Sequence, residues 1–247
     1  MIFFLTLVKP ESLIFLRYPV IFFKPILANY QDVFANTYIG KYFINSLIIS
    51  SLSCLLALVI GSLAAYSFAR FRIKGGEDIA FWILSTRMLP PVASVIPIYL
   101  IASHLGLLDT YVVMILIYAG FNIPYVVWIM RGFFADIPRE IEEAALVDGC
   151  SRLNVLVPVV LPLSVAGLVA TALFAFVLSI NEFLYALVLT GMKTKTMPVA
   201  IAALITDRGI QWGRMTASGT ILLIPLIIFF CLIQRHLVRG LTFGAIK

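Results

Sequence analysis

Along this chain, long apolar runs alternate with short polar joints. Five runs reach the ~20 residues that a helix needs to cross the hydrocarbon core of a bilayer: residues 42–68, 79–102, 111–130, 161–189 and 216–235. The pattern predicts an all-α fold, a polytopic transmembrane helical bundle with five complete spans. In the first run Gly61, Ser62, Ala64, Ala65 and Ser67 make a small-residue face suited to close helix packing. The second is interrupted by Pro90, Pro91 and Pro97. Residues 1–8 (MIFFLTLV) are apolar but too few to span, and the native chain is expected to extend upstream by roughly a dozen or more apolar residues. Residues 9–41 predict an external segment with aromatic anchors at the membrane interface, among them Tyr18, Phe22, Phe23 and Tyr38. Residues 190–215 are polar by the standard of this chain, with 197–204 either a short surface helix or a re-entrant dip. Residues 236–247 form a tail.

The joint between the third and fourth runs carries the densest local signals. From 142 to 162 it reads EEAALVDGCSRLNVLVPVVLP, and within 137–162 it predicts helix, turn, helix. Pro138 suits a first helical turn, where a missing N–H costs nothing. Glu140, Glu142 and Glu143 fall in the early turns, where the helix dipole favours negative charge. Ile137, Ile141, Ala144, Ala145 and Leu146 leave an apolar stripe with a small alanine patch. Gly149 can take the left-handed conformation that ends a helix. Ser151 can cap a second one, and Pro158 and Pro162 break the path back into the membrane.

Four polar groups interrupt the runs. Arg87 lies eight residues beyond Ile79, roughly 12 Å into its run at ~1.5 Å per residue. Asn122 lies eleven residues in from the opposite side, roughly 16 Å deep, so the two can share a level. Both precede a proline that frees backbone carbonyls, as in the broken helices that line binding cavities. Asn181 and Glu182 lie toward the external end of the fourth run, Glu182 about 30 Å along it. Polar groups at such depths face the bundle interior or an aqueous cavity. They either line a path, binding or gating a solute, or join helices through polar contacts. For Glu182 the joining role comes first, with a neighbouring helix or a partner chain.

Composition narrows the class. A chain of 247 residues that is 62% hydrophobic and 12% charged carries more apolar surface than a soluble domain of this size can hide. Its formal charge of +6 fits loops near anionic headgroups and not a nucleic-acid footprint. Cys54, Cys150 and Cys231 are scattered and suggest no disulfide framework. His104 and His236 lie far apart near span ends. No metal-ligand cluster, Gly-rich phosphate loop or nucleophile–base pair is visible, so the chain reads as no enzyme and as lacking an ATP site. With residues 137–162 placed inside, nine basic residues lie inside and eight outside, with Arg87 in a span, and the positive-inside rule is close to silent.

The spacing Glu143-Ala144-Ala145, three residues, Gly149, nine residues, Val159, one residue, Leu161-Pro162 resembles the EAA loop of ABC importer permeases of the binding-protein-dependent type. TRMLPP (86–91), GLLDTY (106–111), FNIPYVVWIMRGFF (121–134), NEF (181–183) and LVRGLTFGAIK (237–247) are similar to the maltose-type carbohydrate permease branch. The resemblance covers nearly the whole chain. It implies a multi-pass permease of the bacterial inner (plasma) membrane, with residues 42–235 as its transmembrane domain and 236–247 as a cytoplasmic tail. Relatives begin with a full first span, so six spans are implied for the intact family fold. Here Lys9-Pro10 and Asn29-Tyr30 follow only a stub, which points to a late start site or a truncation, with a natural five-span variant as the alternative. The loop is implied to be cytoplasmic and to dock into an ATP-binding subunit dimer through Glu143, Ala144, Ala145, Gly149, Leu161 and Pro162. Glu143 stands where it can pair with a basic residue of that ATPase. ATP and Mg are implied on the ATPase, with no cofactor in this chain. The other implied partners are a second homologous permease, an external solute-binding protein and the lipid bilayer, with no nucleic acid. Arg87, Asn122, Asn181 and Glu182 are the candidate substrate path for a sugar. The alternatives are a permease for another small solute, such as a polyamine or phosphate, and an ion-coupled secondary transporter.

Overall fold

The computed structural model describes residues 9, 23, 26–36, 38–207 and 209–243. The stub at 1–8, Arg208, residues 244–247 and residues 10–22, 24, 25 and 37 of the segment 9–41, with Tyr18 and Phe22, lie outside the described residues. In chain order the helices are α1 (Ala28–Asn36), α2 (Ile39–Arg70), α3 (Gly76–Ser85) with a 3-10 turn at Thr86–Met88, α4 (Pro91–His104) and α5 (Tyr111–Ala135). Next come α6 (Arg139–Val147), α7 (Arg152–Val155), a π-helical turn (Leu156–Val160), α8 (Leu161–Leu163) and α9 (Val165–Ile180). The chain continues through α10 (Leu184–Leu189) and α11 (Met197–Ala202) to α12 (Trp212–Phe243). Before α12, β1 (Ile205–Thr206) and β2 (Gly209–Ile210) pair antiparallel, with Thr206 opposite Gly209.

Helices α2, α5 and the Trp212–Leu232 part of α12 are each long and apolar enough to cross a membrane. Two further spans exist only as bent pairs, so the described residues hold three to five spans, against the five predicted as complete. The run 79–102 turns by 91° between the 3-10 turn and α4. Leu89 and Pro90 are both extended, with ψ of 121° and 128°, because a residue before proline is pushed out of the helical region. Pro97, by contrast, leaves α4 unbroken. The run 161–189 bends by 80° at Ser164, whose hydroxyl donates to the Val160 carbonyl at 2.7 Å. Such back-bonding by serine bends helices. Helix α9 then stops at Ile180, so Glu182 sits in a break and not within a continuous span.

The bundle is tightest where α2 crosses α5. A Cβ at Gly61 would come within 2.6 Å of the Val126 side chain, so the glycine lets the two backbones meet. A Cβ at Gly167 would likewise lie 2.4 Å from the Phe133 ring, which sets α9 against α5. Around the α2–α5 crossing, Ala57, Ala65, Tyr66, Val126, Met130, Phe134, Val155 and Leu156 form the buried cluster at the EAA-loop end. At the other end Met114, Tyr118, Tyr185 and Leu189 pack with α4 and α11.

The segment 197–204 is not a surface helix. Met197 is fully buried, its N–H donates to the Ser46 hydroxyl at 2.7 Å, and Asn45 donates to the carbonyls of Lys193 and Lys195, each at 2.9 Å. These bonds satisfy backbone groups that would otherwise be orphaned inside the bundle, which is why the chain can dip there. Beside it, Asp109 holds a left-handed backbone with φ of 54°. Its carboxylate accepts from the N–H groups of Gly191 (2.8 Å), Lys193 (3.1 Å) and Thr194 (2.9 Å) and from the Thr194 hydroxyl (2.7 Å). Burial alone would raise its pKa. The hydrogen bonds from Thr194, Lys193 and Gly191 outweigh that and hold the carboxyl at about 2.

Candidate functional site: a polar cavity and the helix of the 137–162 joint

Helices α4, α5, α9 and the break before α10 enclose a cavity of about 210 Å³, lined by Arg87, Pro91, Tyr118, Phe121, Asn122, Leu178, Ser179, Glu182 and Tyr185. Arg87 reaches it from the 3-10 turn. Its guanidinium lies 4.4 Å from the centroid of the Tyr125 ring and 5.7 Å from that of Phe121, so ring faces stabilise the charge. Among the described residues no carboxylate forms an ion pair with Arg87. Positions 118, 121, 122 and 125 share one face of α5 by their three- and four-residue spacing.

Asn122 is buried and donates to the Ser179 hydroxyl at 2.7 Å and to the Ala175 carbonyl at 3.3 Å. The Ser53 hydroxyl also donates to Ser179, at 3.2 Å, so one polar string joins α2, α5 and α9 at the cavity floor. Glu182 accepts from the Tyr118 hydroxyl at 2.8 Å and from the N–H groups of Tyr185 (3.0 Å) and Ala186 (3.2 Å). It therefore caps α10 and ties it to α5, since a carboxylate at a helix start satisfies free N–H groups. The Tyr185 hydroxyl shares a hydrogen bond with Ser94 at 2.6 Å, and its ring packs on Phe121 with centroids 4.6 Å apart.

The fold thus brings Arg87, Asn122 and Glu182 to one cavity. Asn181 is not part of it: that side chain is exposed and donates to the Val177 carbonyl of its own helix at 2.9 Å. The helix ends at Ile180, so residue 181 points away from residue 182. Tyr118, Ser179 and Tyr185 were not singled out from the sequence. Tyr118 stands one turn before Asn122, and that spacing was the available signal.

At the opposite end of the bundle, α6 starts after Pro138, one residue later than a proline in the first turn would give. It ends on Gly149, with φ of 89°. The Cys150 N–H reaches the Ala145 carbonyl and the Gly149 N–H reaches that of Leu146, each at 3.1 Å, which is the Schellman pattern. The Ser151 hydroxyl accepts from the Asn154 N–H at 3.3 Å and caps α7. Glu143 and Ala144 are exposed, as are Ile141 and Val147, the latter at 87%. Leu161 is half-buried and Pro162 exposed. Glu142, one residue from Glu143, is buried: it pairs with Arg70 at 2.6 Å and accepts from the Tyr66 hydroxyl at 2.8 Å. Arg70 also donates to the Ile137 carbonyl at 2.8 Å.

Comparison with known proteins places the chain in a family. The chain is 38% identical over 229 residues to a probable ABC transporter permease of Sinorhizobium fredii, covering 93% of this chain and 82% of that one. It is 36% identical over 241 residues to the trehalose/maltose transport system permease protein MalG of Thermococcus litoralis, covering 96% and 87%. In fold it matches a chain from the crystal structure of a bacterial ABC transporter involved in the import of the acidic polysaccharide alginate, with a TM-score of 0.77 at 23% identity, over 94% of this chain and 88% of that one. Residues 57–243 match the family model described as binding-protein-dependent transport system inner membrane component, and the chain belongs to that family of membrane transport proteins.

Proposed function

We propose that the chain forms part of the translocation pore of an ATP-driven carbohydrate importer and couples to a separate ATPase through α6. The observation that carries the sugar reading is the cavity, where the rings of Phe121 and Tyr185 stand beside polar groups of Arg87, Asn122 and Ser179. Aromatic faces take the C–H surface of a sugar, and a few placed polar groups fix its hydroxyls. Relatives named for trehalose, maltose and diacetylchitobiose transport support the same class. The coupling reading is supported by α6, which keeps an apolar exposed face outside the membrane-spanning runs, as protein partners require. ATP and Mg belong to the ATPase dimer, and a second permease and an external binding protein complete the assembly. ATP binding closes the dimer, α6 moves, and the cavity changes the side it faces.

The test is co-expression with a candidate ATPase, second permease and binding protein from the same genome. ATP-dependent uptake of a labelled oligosaccharide that stabilises the binding protein in a thermal-shift panel is the expected result. A binding protein that takes a polyamine or phosphate and no sugar overturns the substrate class. Uptake driven by an ion gradient in vesicles without the ATPase overturns the coupling.

A further inference from the structure

Helix α6 has two adjacent glutamates in opposite environments. Glu143 faces out, whereas the Glu142 and Arg70 side chains are each only 5% exposed. Arg70 is the last residue of α2, where a cation also faces the negative end of the helix dipole. Its second donor holds the Ile137 carbonyl, at the joint between α5 and α6. Tyr66 donates to the other carboxylate oxygen and is itself wedged edge-on against Phe134 of α5, with centroids 6.0 Å apart. Apolar packing of Ala145, Leu146 and Cys150 beneath α6 sets no direction. The charge-assisted bonds do, because each fixes a distance and an angle. A buried charge left without its partner is strongly unfavourable, so α6 cannot swing free of α2 and α5 without a large penalty. The close approach at Gly61 packs α2 directly against α5. Helix α5 in turn carries Tyr118, Phe121 and Asn122 in the cavity wall.

We propose that Arg70, Glu142 and Tyr66 form a latch that positions α6 on α2 and α5 and transmits its displacement to the cavity wall. The inference rests on the reading of α6 as the ATPase-docking element. Glu142 and Arg70 are positioning residues; Glu143 is left to the partner.

The test uses the complete transporter in proteoliposomes, in a cysteine-free background. Ser94→Cys, near the cavity, reports its exposure by the rate of reaction with a membrane-impermeant thiol reagent, before and after trapping with ATP and vanadate. With the latch intact, trapping changes the rate. In Glu142→Gln and Glu142→Ala the trapped complex still forms, but the change shrinks by roughly threefold to thirtyfold, the span of measured coupling effects. Arg70→Ala has a smaller effect in the Glu142→Ala background than alone, as expected for a shared interaction. A thiol at Ala144→Cys, on the exposed side of α6, cross-links to the ATPase throughout. A Glu142→Gln complex that assembles, cross-links and keeps the full change overturns the latch alone. Failure of both Glu142 variants to assemble also overturns it, since the pair is then a folding element. Absence of the Ala144→Cys cross-link with an intact latch overturns the docking reading, and this inference with it.

Discussion

Asp109 shows how much one side chain can hold at the end of the bundle away from α6. It accepts four hydrogen bonds from residues 191–194, more than eighty positions away in sequence. Because its pKa is depressed in the folded state, its contribution to stability is present above the unfolded carboxylate value of about 3.9. That contribution is lost as pH falls from there through about 2. Asp109→Asn should therefore lower the thermal midpoint in detergent at pH 7, and the gap to wild type should close below pH ~4. A gap that stays constant down to pH ~2 would show that the charge is not the cause. Among the cavity residues, Arg87→Ala should lower uptake with the complex intact, because the guanidinium is held by ring faces and no ion pair among the described residues. Asn122→Ala should lower uptake too, but it also removes an interhelical bond worth about 0.6 kcal/mol on average in membrane bundles. Normal uptake in both, at wild-type expression, would leave these groups with a joining role only.

Among the elements, α6 depends on how it stops. A side chain at a left-handed position costs roughly 1–2 kcal/mol, and a Cβ at Gly149 would meet nothing within 4 Å, so the penalty there is backbone strain and not a clash. Gly149→Val should redirect the chain into α7 and uncouple ATP hydrolysis from substrate, while Asn154→Ala, at an exposed position, should be mild. Full substrate stimulation of ATP hydrolysis in Gly149→Val would refute the coupling role of this turn. Gly61 is the converse case. It lies within α2, and a side chain there strikes Val126 at 2.6 Å, so Gly61→Val should force α2 from α5 and lower assembly.

Across the whole molecule, the cavity exists because two spans are broken. Arg87 rides on the 3-10 turn just before the 91° bend, so the bend aims it. Replacing both Pro90 and Pro91 by alanine relaxes the restriction on residues 89 and 90 and allows helical bonding to continue across the joint. Uptake should fall several-fold while the ATPase still co-purifies in wild-type ratio. Wild-type uptake would mean that the extended joint is held by packing and not by proline.

The sequence by itself determined what depends on neighbours in the chain. Run length and apolarity placed the spans, since a bilayer rewards ~20 apolar residues wherever they occur. The stop at Gly149, the cap at Ser151 and the break at Pro90 and Pro91 were legible because each is a restriction on one or two backbone angles; the breaks expected at Pro97 and Pro124 are not found, since helices α4 and α5 run through them. Helical rise gave the expectation that Arg87 and Asn122 share a level, and the fold brings both to one cavity. Tertiary structure decided the rest. Which glutamate of the 142–143 pair turns inward was set by Arg70, 72 positions earlier. Whether residues 197–204 lie on the surface or within the bundle was set by Asn45 and Ser46, about 150 positions away. That Asn181 turns out while Glu182 turns in depended on where α9 ends against its neighbours. Such choices are made by partners that distant segments bring together, and no local periodicity carries that information.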